Sequence, residues 1–151
     1  DHQGTALVEI YQNCNIFNDG AFDILKDNEQ AREAVIRLEH GRPIRFGADG
    51  NKGVVRDPAT GDLHVIEVTP ETEHRVLVHD AHATSPTTAF ALSRLADPDT
   101  LHHTPIGVLR STPRPVYDTL MAEQLDTAVD QRGKGDLATL LAGADTWTVT
   151  D

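Results

Sequence analysis

The residue best suited to soft-metal or nucleophilic chemistry is Cys14, the only cysteine of the chain. A lone cysteine cannot form an internal disulfide, and it builds a zinc or iron–sulfur site only with ligands from elsewhere. Gln12, Asn13 and Asn15 surround it with polar groups, which predicts a loop whose backbone N–H groups face a cluster or an anion. The alternative is that Cys14 packs in the core as a small apolar residue.

Eight histidines offer a second kind of chemistry. His79 and His82 lie three residues apart with Asp80 between them, a set that some mononuclear metal sites use. His102 and His103 are adjacent, so their side chains diverge in a helix or a strand. Because no longer ligand pattern accompanies them, we expect solvated or locally hydrogen-bonded histidines, with a His/Asp metal hydrolase as a remote alternative.

The sequence contains no clear motif for a nucleophilic hydroxyl group or for phosphate binding. Thr84 and Ser85 precede a helical pattern and no Gly-x-Ser-x-Gly elbow is present, so we expect them to cap the helix. The chain also contains neither a Walker A motif nor a Gly-x-Gly-x-x-Gly motif. No phosphate-cradling loop is therefore expected.

The elements that must position these residues give a mixed α and β pattern. Residues Thr5 to Tyr11 predict a short buried strand, and the loop at its carboxyl end, which contains Cys14, is where α/β sheets usually bind ligands. A run of turn formers from Asp57 to Asp62 separates two β-branched segments and predicts a hairpin. We further expect helices over 21–25, 28–38, 86–95, 115–131 and 137–141, and strands over 75–79 and 105–110. The fold class is thus α/β with a β-hairpin insertion or lobe.

Length and charge restrict the classes of protein. A chain of 151 residues predicts one domain, residues 1–151. Its formal net charge of −11 repels phosphate backbones and anionic lipids, so neither nucleic acid nor a membrane is expected as a partner. No apolar run approaches the roughly 20 residues that span a bilayer, and no signal segment is evident. A cytoplasmic protein is expected.

Several segments together resemble one enzyme family. The segment from Ala6 to Asn18, a strand leading into a Gln-x-Cys-x-x-Phe-Asn loop, resembles the beta subunits of 2-oxoacid:ferredoxin oxidoreductases. The resemblance is greater to the 2-oxoglutarate-type subunits of actinobacteria than to the shorter pyruvate-type chains. It continues over the following ranges: 37–41, 77–82, 104–110 and 115–118.

The resemblance implies a fold and an activity. The fold is a thiamine-diphosphate-binding-type α/β domain. The enzyme decarboxylates a 2-oxoacid with thiamine diphosphate and Mg²⁺, transfers the acyl group to coenzyme A, and passes electrons through a 4Fe-4S cluster to ferredoxin. In such subunits three cluster cysteines lie early in the chain and the fourth lies in the loop matched here, so only Cys14 inherits a role as metal ligand. Thiolate ligation of cluster iron agrees with this assignment. No catalytic or cofactor-contacting residue is carried over.

Two family motifs are absent. The chain lacks the Gly-Asp-Gly signature for thiamine diphosphate and the Cys-x-x-Cys element. We therefore interpret it as the C-terminal portion of a beta subunit, inactive alone, whose partners are the N-terminal portion and the alpha subunit in a heterotetramer. The alternative function is an accessory, partner-binding module that retains the subunit architecture without its chemistry.

Overall fold

The computed structural model describes residues 2–145 together with Trp147 and Val149. The chain divides into two compact units. Residues Glu9–Pro113 form the first, here named the α/β unit. The residues up to Val8 and from Arg114 onward form the second, named the helical unit. The single-domain organisation stays a prediction.

The α/β unit begins its regular structure with helix α1, Asn28–Ala34. The carboxylate of Asp27 accepts hydrogen bonds from the N–H groups of Glu29 and Gln30, both at 3.0 Å, which is the side-chain cap expected for a helix start. A short 3-10 turn, Asp23–Leu25, precedes the helix where a helix over 21–25 was expected.

The prediction that α1 continues to Leu38 is wrong. Val35–Leu38 is strand β1, which pairs in parallel with strand β5, Thr104–Gly107. The β-branched pair Val35 and Ile36 favours a strand, and Ile36 and Leu38 are buried while Arg37 between them is exposed. Burial therefore alternates from one residue to the next, as in a strand, although the apolar residues of the sequence have helical spacing.

The hairpin prediction is confirmed. Strands β2, Arg45–Phe46, β3, Lys52–Arg56, and β4, Leu63–Glu67, form an antiparallel sheet in the order β2-β3-β4. In the connecting turn the carboxylate of Asp57 accepts hydrogen bonds from the N–H groups of Ala59 at 2.7 Å and Thr60 at 3.2 Å. Together with the parallel β1–β5 pair, this sheet confirms the α/β class with a hairpin lobe.

The core of the α/β unit lies where these strands meet helix α2, Thr87–Ser93. Its buried apolar side chains come from β1, β2, β3, α2 and the residue before β2: Ile36, Leu38, Ile44, Phe46, Val54 and Leu92. This core fixes the strands that carry the polar loops. Helix α2 is shorter than the predicted 86–95.

Two predicted strands do not form. Residues Thr5 to Tyr11 make no strand in this chain, and Leu7, Val8 and Ile10 are 96%, 74% and 75% exposed. The apolar pattern suits a sheet interior, but no strand within the described residues pairs with it. In the expected strand 75–79, Arg75 belongs to a 3-10 turn, Glu73–Arg75, and Val78 makes an isolated bridge to Pro43.

The helical unit contains α3, Tyr117–Arg132, and α4, Leu137–Ala142, close to the predicted bounds. Gly133, at φ +78°, ends α3, and the side chain of Asp136 caps α4 through the N–H groups of Ala138 and Thr139. Many of its large apolar side chains are exposed: Tyr117, Leu120, Leu125, Val129, Leu137, Leu140 and Leu141. No helix among the described residues is long and apolar enough to cross a membrane.

Candidate functional site

The loop around Cys14 is held by side-chain and main-chain hydrogen bonds. Asn13 braces it, because its amide nitrogen donates to Asp19 Oδ1 and its amide oxygen accepts from the N–H of Gly20, both at 2.9 Å. The N–H of Asn18 donates to the carbonyl of Cys14 at 3.0 Å. These bonds form a tight turn with the thiol near its beginning.

Backbone N–H groups stabilise the thiolate of Cys14. Hydrogen bonds from Ile16, and then from Phe17, hold the pKa of Cys14 below its ordinary value, while partial burial opposes them and Asn18 adds a smaller contribution. A thiol whose charged form already receives several N–H groups is suited to bind metal, since the metal takes the thiolate.

The surroundings of Cys14 are exposed. Its own side chain is half-buried, whereas Ile10, Ile16 and Phe17, the neighbours expected to cover it in the core, are 75%, 77% and 89% exposed. The packing alternative therefore has no closed apolar pocket to support it. The apolar side chains lie at the surface beside an accessible thiol.

His79 and His82 are hydrogen-bonded to the main chain of a neighbouring segment. His79 Nε2 lies 2.8 Å from the carbonyl of Val108, and His82 Nδ1 lies 2.7 Å from the carbonyl of Ser111. A carbonyl only accepts, so each of these ring nitrogens is the donor. The contacts agree with the expectation of locally hydrogen-bonded histidines.

Further hydrogen bonds join the same two segments. The N–H of Ser111 donates to the carbonyl of Ala81 at 2.6 Å, and the Arg110 guanidinium donates to the carbonyls of Ala83 at 3.1 Å and Thr84 at 2.8 Å. We name this set of contacts between residues 79–84 and 108–111 the histidine–arginine latch. These side-chain and main-chain donors connect the two segments, which do not pair as β-strands.

His40 joins this region without being found by sequence reasoning. Its Nδ1 accepts the N–H of Ala81 at 3.2 Å, and its ring lies 4.6 Å from the ring of His82. Asp80 Oδ1 lies 3.5 Å from the same Nδ1. No sequence spacing links His40 to His82, because the two meet only through the fold.

The remaining predicted polar residues do not form one site. The ring of His103 lies edge-on to the ring of Phe46, with 5.7 Å between the two ring centroids. Burial lowers the pKa of His103. Ser85 Oγ accepts the N–H of Thr87 at 3.3 Å, but Pro86 occupies the N-cap position of α2, so the expected cap by Thr84 or Ser85 does not form. Among the residues that the structure describes, no group of three or more His, Cys, Asp or Glu side chains could hold a metal ion. The role of Cys14 as a metal ligand stays a prediction.

The bracing role of Asn13 was also missed by sequence reasoning. The sequence marks Asn13 only as a polar neighbour of the cysteine, although an Asn six residues before an Asp-Gly pair in a turn-rich segment is a usable signal. Its two hydrogen bonds give the loop its shape. The thiol is therefore positioned by residues on both sides of it.

The α/β unit carries a hairpin lobe and a partly exposed thiol in a turn-rich loop, and the sequence resembles the beta subunits of 2-oxoacid oxidoreductases. Comparison with known proteins confirms this resemblance. The chain is 45% identical over 150 residues to the 2-oxoglutarate oxidoreductase subunit KorB of Mycobacterium tuberculosis. The match covers 98% of this chain and 39% of KorB, so the chain spans about two fifths of that relative's length. No protein-family model matches the chain, and no solved structure does.

Proposed function

We propose that this chain is the C-terminal portion of the beta subunit of a 2-oxoglutarate:ferredoxin oxidoreductase and that Cys14 is its one ligand to a 4Fe-4S cluster. The identity of 45% to KorB over nearly the whole chain supports the subunit assignment. The lowered pKa and partial exposure of Cys14 support the ligand role. The complete enzyme would be a cytoplasmic heterotetramer with an alpha subunit.

The residues of the Cys14 loop suit this role. A 4Fe-4S cluster supplies one-electron storage and transfer, and hydrogen bonds to its ligand sulfurs help to set its potential. In this chain the N–H groups of Ile16 and Phe17 stabilise the negative charge on Cys14. Asn13 keeps the loop in the conformation that aims these groups. The other three thiolates would come from the N-terminal portion of the subunit.

Thiamine diphosphate and Mg²⁺ belong, in this proposal, to the N-terminal portion. The chain lacks the Gly-Asp-Gly signature, and its net charge of −11 offers the diphosphate no general attraction. The 2-oxoacid, coenzyme A and ferredoxin would bind to the assembled enzyme. The described residues supply no acid, base or nucleophile to which we assign a catalytic step.

The decisive test replaces Cys14 in the assembled oxidoreductase. Cys14→Ala should lower the iron content and the cluster absorption while the melting temperature of the complex changes little, because the side chain is only half-buried. Ile16→Ser is the matched control. It changes an exposed side chain of the same loop and keeps the backbone N–H, so the iron content should stay at the level of the unmodified enzyme.

Two results would contradict the proposal. Full iron content with an unchanged absorption spectrum in Cys14→Ala would overturn the ligand role. A gene whose reading frame lacks any upstream segment with Cys-x-x-Cys and Gly-Asp-Gly, and which has none encoded beside it, would favour the accessory module instead. Both measurements are independent of the activity of the isolated chain.

A further inference from the structure

Three arginines line one solvent-open cavity of about 350 Å³ in the α/β unit. Arg32 comes from the last turn of α1, Arg37 from β1 and Arg45 from β2. Phe46 and Gly47 form further parts of the wall. The volume lies at the lower end of the range that small-molecule sites have in proteins.

The fold determines where these arginines lie. Ile36 and Leu38 of β1 enter the core, so Arg37 occupies the opposite face of the strand. The N–H of Gly47 donates to the carbonyl of Arg32 at 3.0 Å, which joins the end of α1 to the end of β2. The convergence of the three residues is therefore a property of the tertiary structure and is not visible in their sequence spacing.

Arg45 is held in place by its own contacts. Its Nε donates to the carbonyl of Gly50 at 2.9 Å, and its Nη1 lies 3.0 Å from Glu73 Oε1. These bonds use one part of the guanidinium fork and leave the second terminal nitrogen without a partner among the described residues. The side chain is thus oriented before any ligand arrives.

The positive charges of Arg32 and Arg37 are not neutralised within the described part of the chain, whereas Arg45 is paired with Glu73. Neither Arg32 nor Arg37 makes an ion pair there. The nearby Glu33 carboxylate is occupied, since it accepts from Lys52 Nζ at 2.6 Å and from the N–H of Ala48 at 2.8 Å, and Lys52 lowers the pKa of Glu33. Two uncompensated guanidinium groups on a chain of net charge −11 form a local anion-attracting site.

We propose that this cavity binds the phosphate group of a small molecule. Guanidinium forks match phosphate oxygens with paired hydrogen bonds, and a terminal phosphate carries a charge of about −1.5 to −2 at neutral pH, which balances two free arginines. Three donors from three elements suit the several oxygens of a tetrahedral group better than the two coplanar oxygens of one carboxylate. This inference does not rest on the proposed function.

The experiment titrates the 151-residue chain with inorganic pyrophosphate at constant ionic strength. Calorimetry should show saturable binding, and the backbone amide resonances around Gly47 should shift. The double variant Arg32→Gln with Arg37→Gln should weaken binding by about tenfold or more, since each charge-assisted hydrogen bond contributes substantially. Both side chains are exposed, so thermal melting should show an intact fold.

Arg42→Gln is the matched control, because Arg42 is an exposed arginine of the same unit outside the cavity lining. It should leave the pyrophosphate affinity unchanged. Absence of saturable binding, or an equal loss of affinity in the control, would overturn the site. Succinate, a dicarboxylate, serves as the second probe. Succinate binding as tight as that of pyrophosphate would overturn the assignment to phosphate.

Discussion

At the scale of the residue, the chemistry of Cys14 is governed by its own backbone neighbourhood. Among the described residues, no lysine or arginine contributes to its lowered pKa, which comes from the N–H groups of Ile16, Phe17 and Asn18. Such main-chain donors persist when the side chains at those positions change. The thiol therefore keeps its character as long as the turn keeps its shape, and Asn13 is the side chain that braces the turn.

A first prediction concerns the alkylation of Cys14. The rate of reaction with iodoacetamide, followed against pH, should reach half its maximum at a lower pH in the folded chain than in a peptide spanning residues 11–18. The reason is that the thiolate reacts and the fold stabilises it. Asn13→Ala should move the midpoint back toward that of the peptide. Identical midpoints for the folded chain and the peptide would show that the N–H groups do not act on the thiol.

At the scale of the element, sequence patterns predicted what local interactions control. The hairpin turn that begins at Asp57 and the helices Tyr117–Arg132 and Leu137–Ala142 depend on neighbours within a few residues, and they were found close to their predicted bounds. The strand Val35–Leu38 was missed because its partner, Thr104–Gly107, lies far along the chain. Pairing at that distance is not visible in the spacing of the apolar residues, and the β-branched pair Val35 and Ile36 was the one local sign of a strand.

The candidate site likewise has a part that local sequence predicts and parts that depend on distant residues. The position of Cys14 in a polar, turn-rich loop was predictable from Asn and Gly content, and the structure shows such a loop. The contact of His40 with His82 and the arginine-lined cavity were not predictable, since each depends on distant residues brought together by the core. Sequence reasoning thus located the loop and missed the sites made by tertiary packing.

A second prediction concerns the β1–β5 pair. Gly107, at φ +131°, opposes Leu38, and a Cβ on it would lie 2.8 Å from the Leu38 carbonyl oxygen. Gly107→Ala should lower the free energy of unfolding by about 1–3 kcal/mol, measured by urea denaturation, because both the backbone conformation and the close approach exclude a side chain. Gly135→Ala, where a Cβ meets no atom within 4 Å, should change it by less than about 0.5 kcal/mol. Equal effects of the two variants would contradict this account of the pair.

At the scale of the whole molecule, the chain combines a high negative charge with much exposed apolar surface. In the α/β unit Ile10, Ile16 and Phe17 are exposed, and in the helical unit Leu140 and Leu141 are 77% and 78% exposed. Isolated proteins rarely present so many large apolar groups to water. The net charge of −11 opposes their association at low ionic strength.

A third prediction is that the isolated chain self-associates. Light scattering should show a mean mass that rises with protein concentration, and rises further with added salt, which screens the repulsion between chains. Leu140→Glu with Leu141→Glu should reduce this association, while Thr127→Glu, an exposed position on α3, serves as the control for added charge. A monomer at every concentration and salt level, with no affinity for an N-terminal portion or an alpha subunit, would count against the subunit assignment.

A fourth prediction is that the isolated chain does not bind thiamine diphosphate tightly. Calorimetry with Mg²⁺ present should show no micromolar binding and no turnover of 2-oxoglutarate, because the expected diphosphate loop is absent from the sequence. Weak binding that is lost in the Arg32→Gln, Arg37→Gln double variant would belong to the arginine-lined cavity. Micromolar binding that survives in that variant would place the cofactor site in this chain.

The histidine–arginine latch has a consequence for how the sequence can vary. His79, His82 and Arg110 supply side-chain donors, whereas Val108, Ser111, Ala83 and Thr84 supply main-chain carbonyls. Any residue carries a carbonyl, but few side chains can replace these donors. Homologous proteins should therefore retain the two histidines and the arginine while the accepting positions drift. Sequence conservation in these two loops would then be restricted to the residues whose side chains donate the hydrogen bonds.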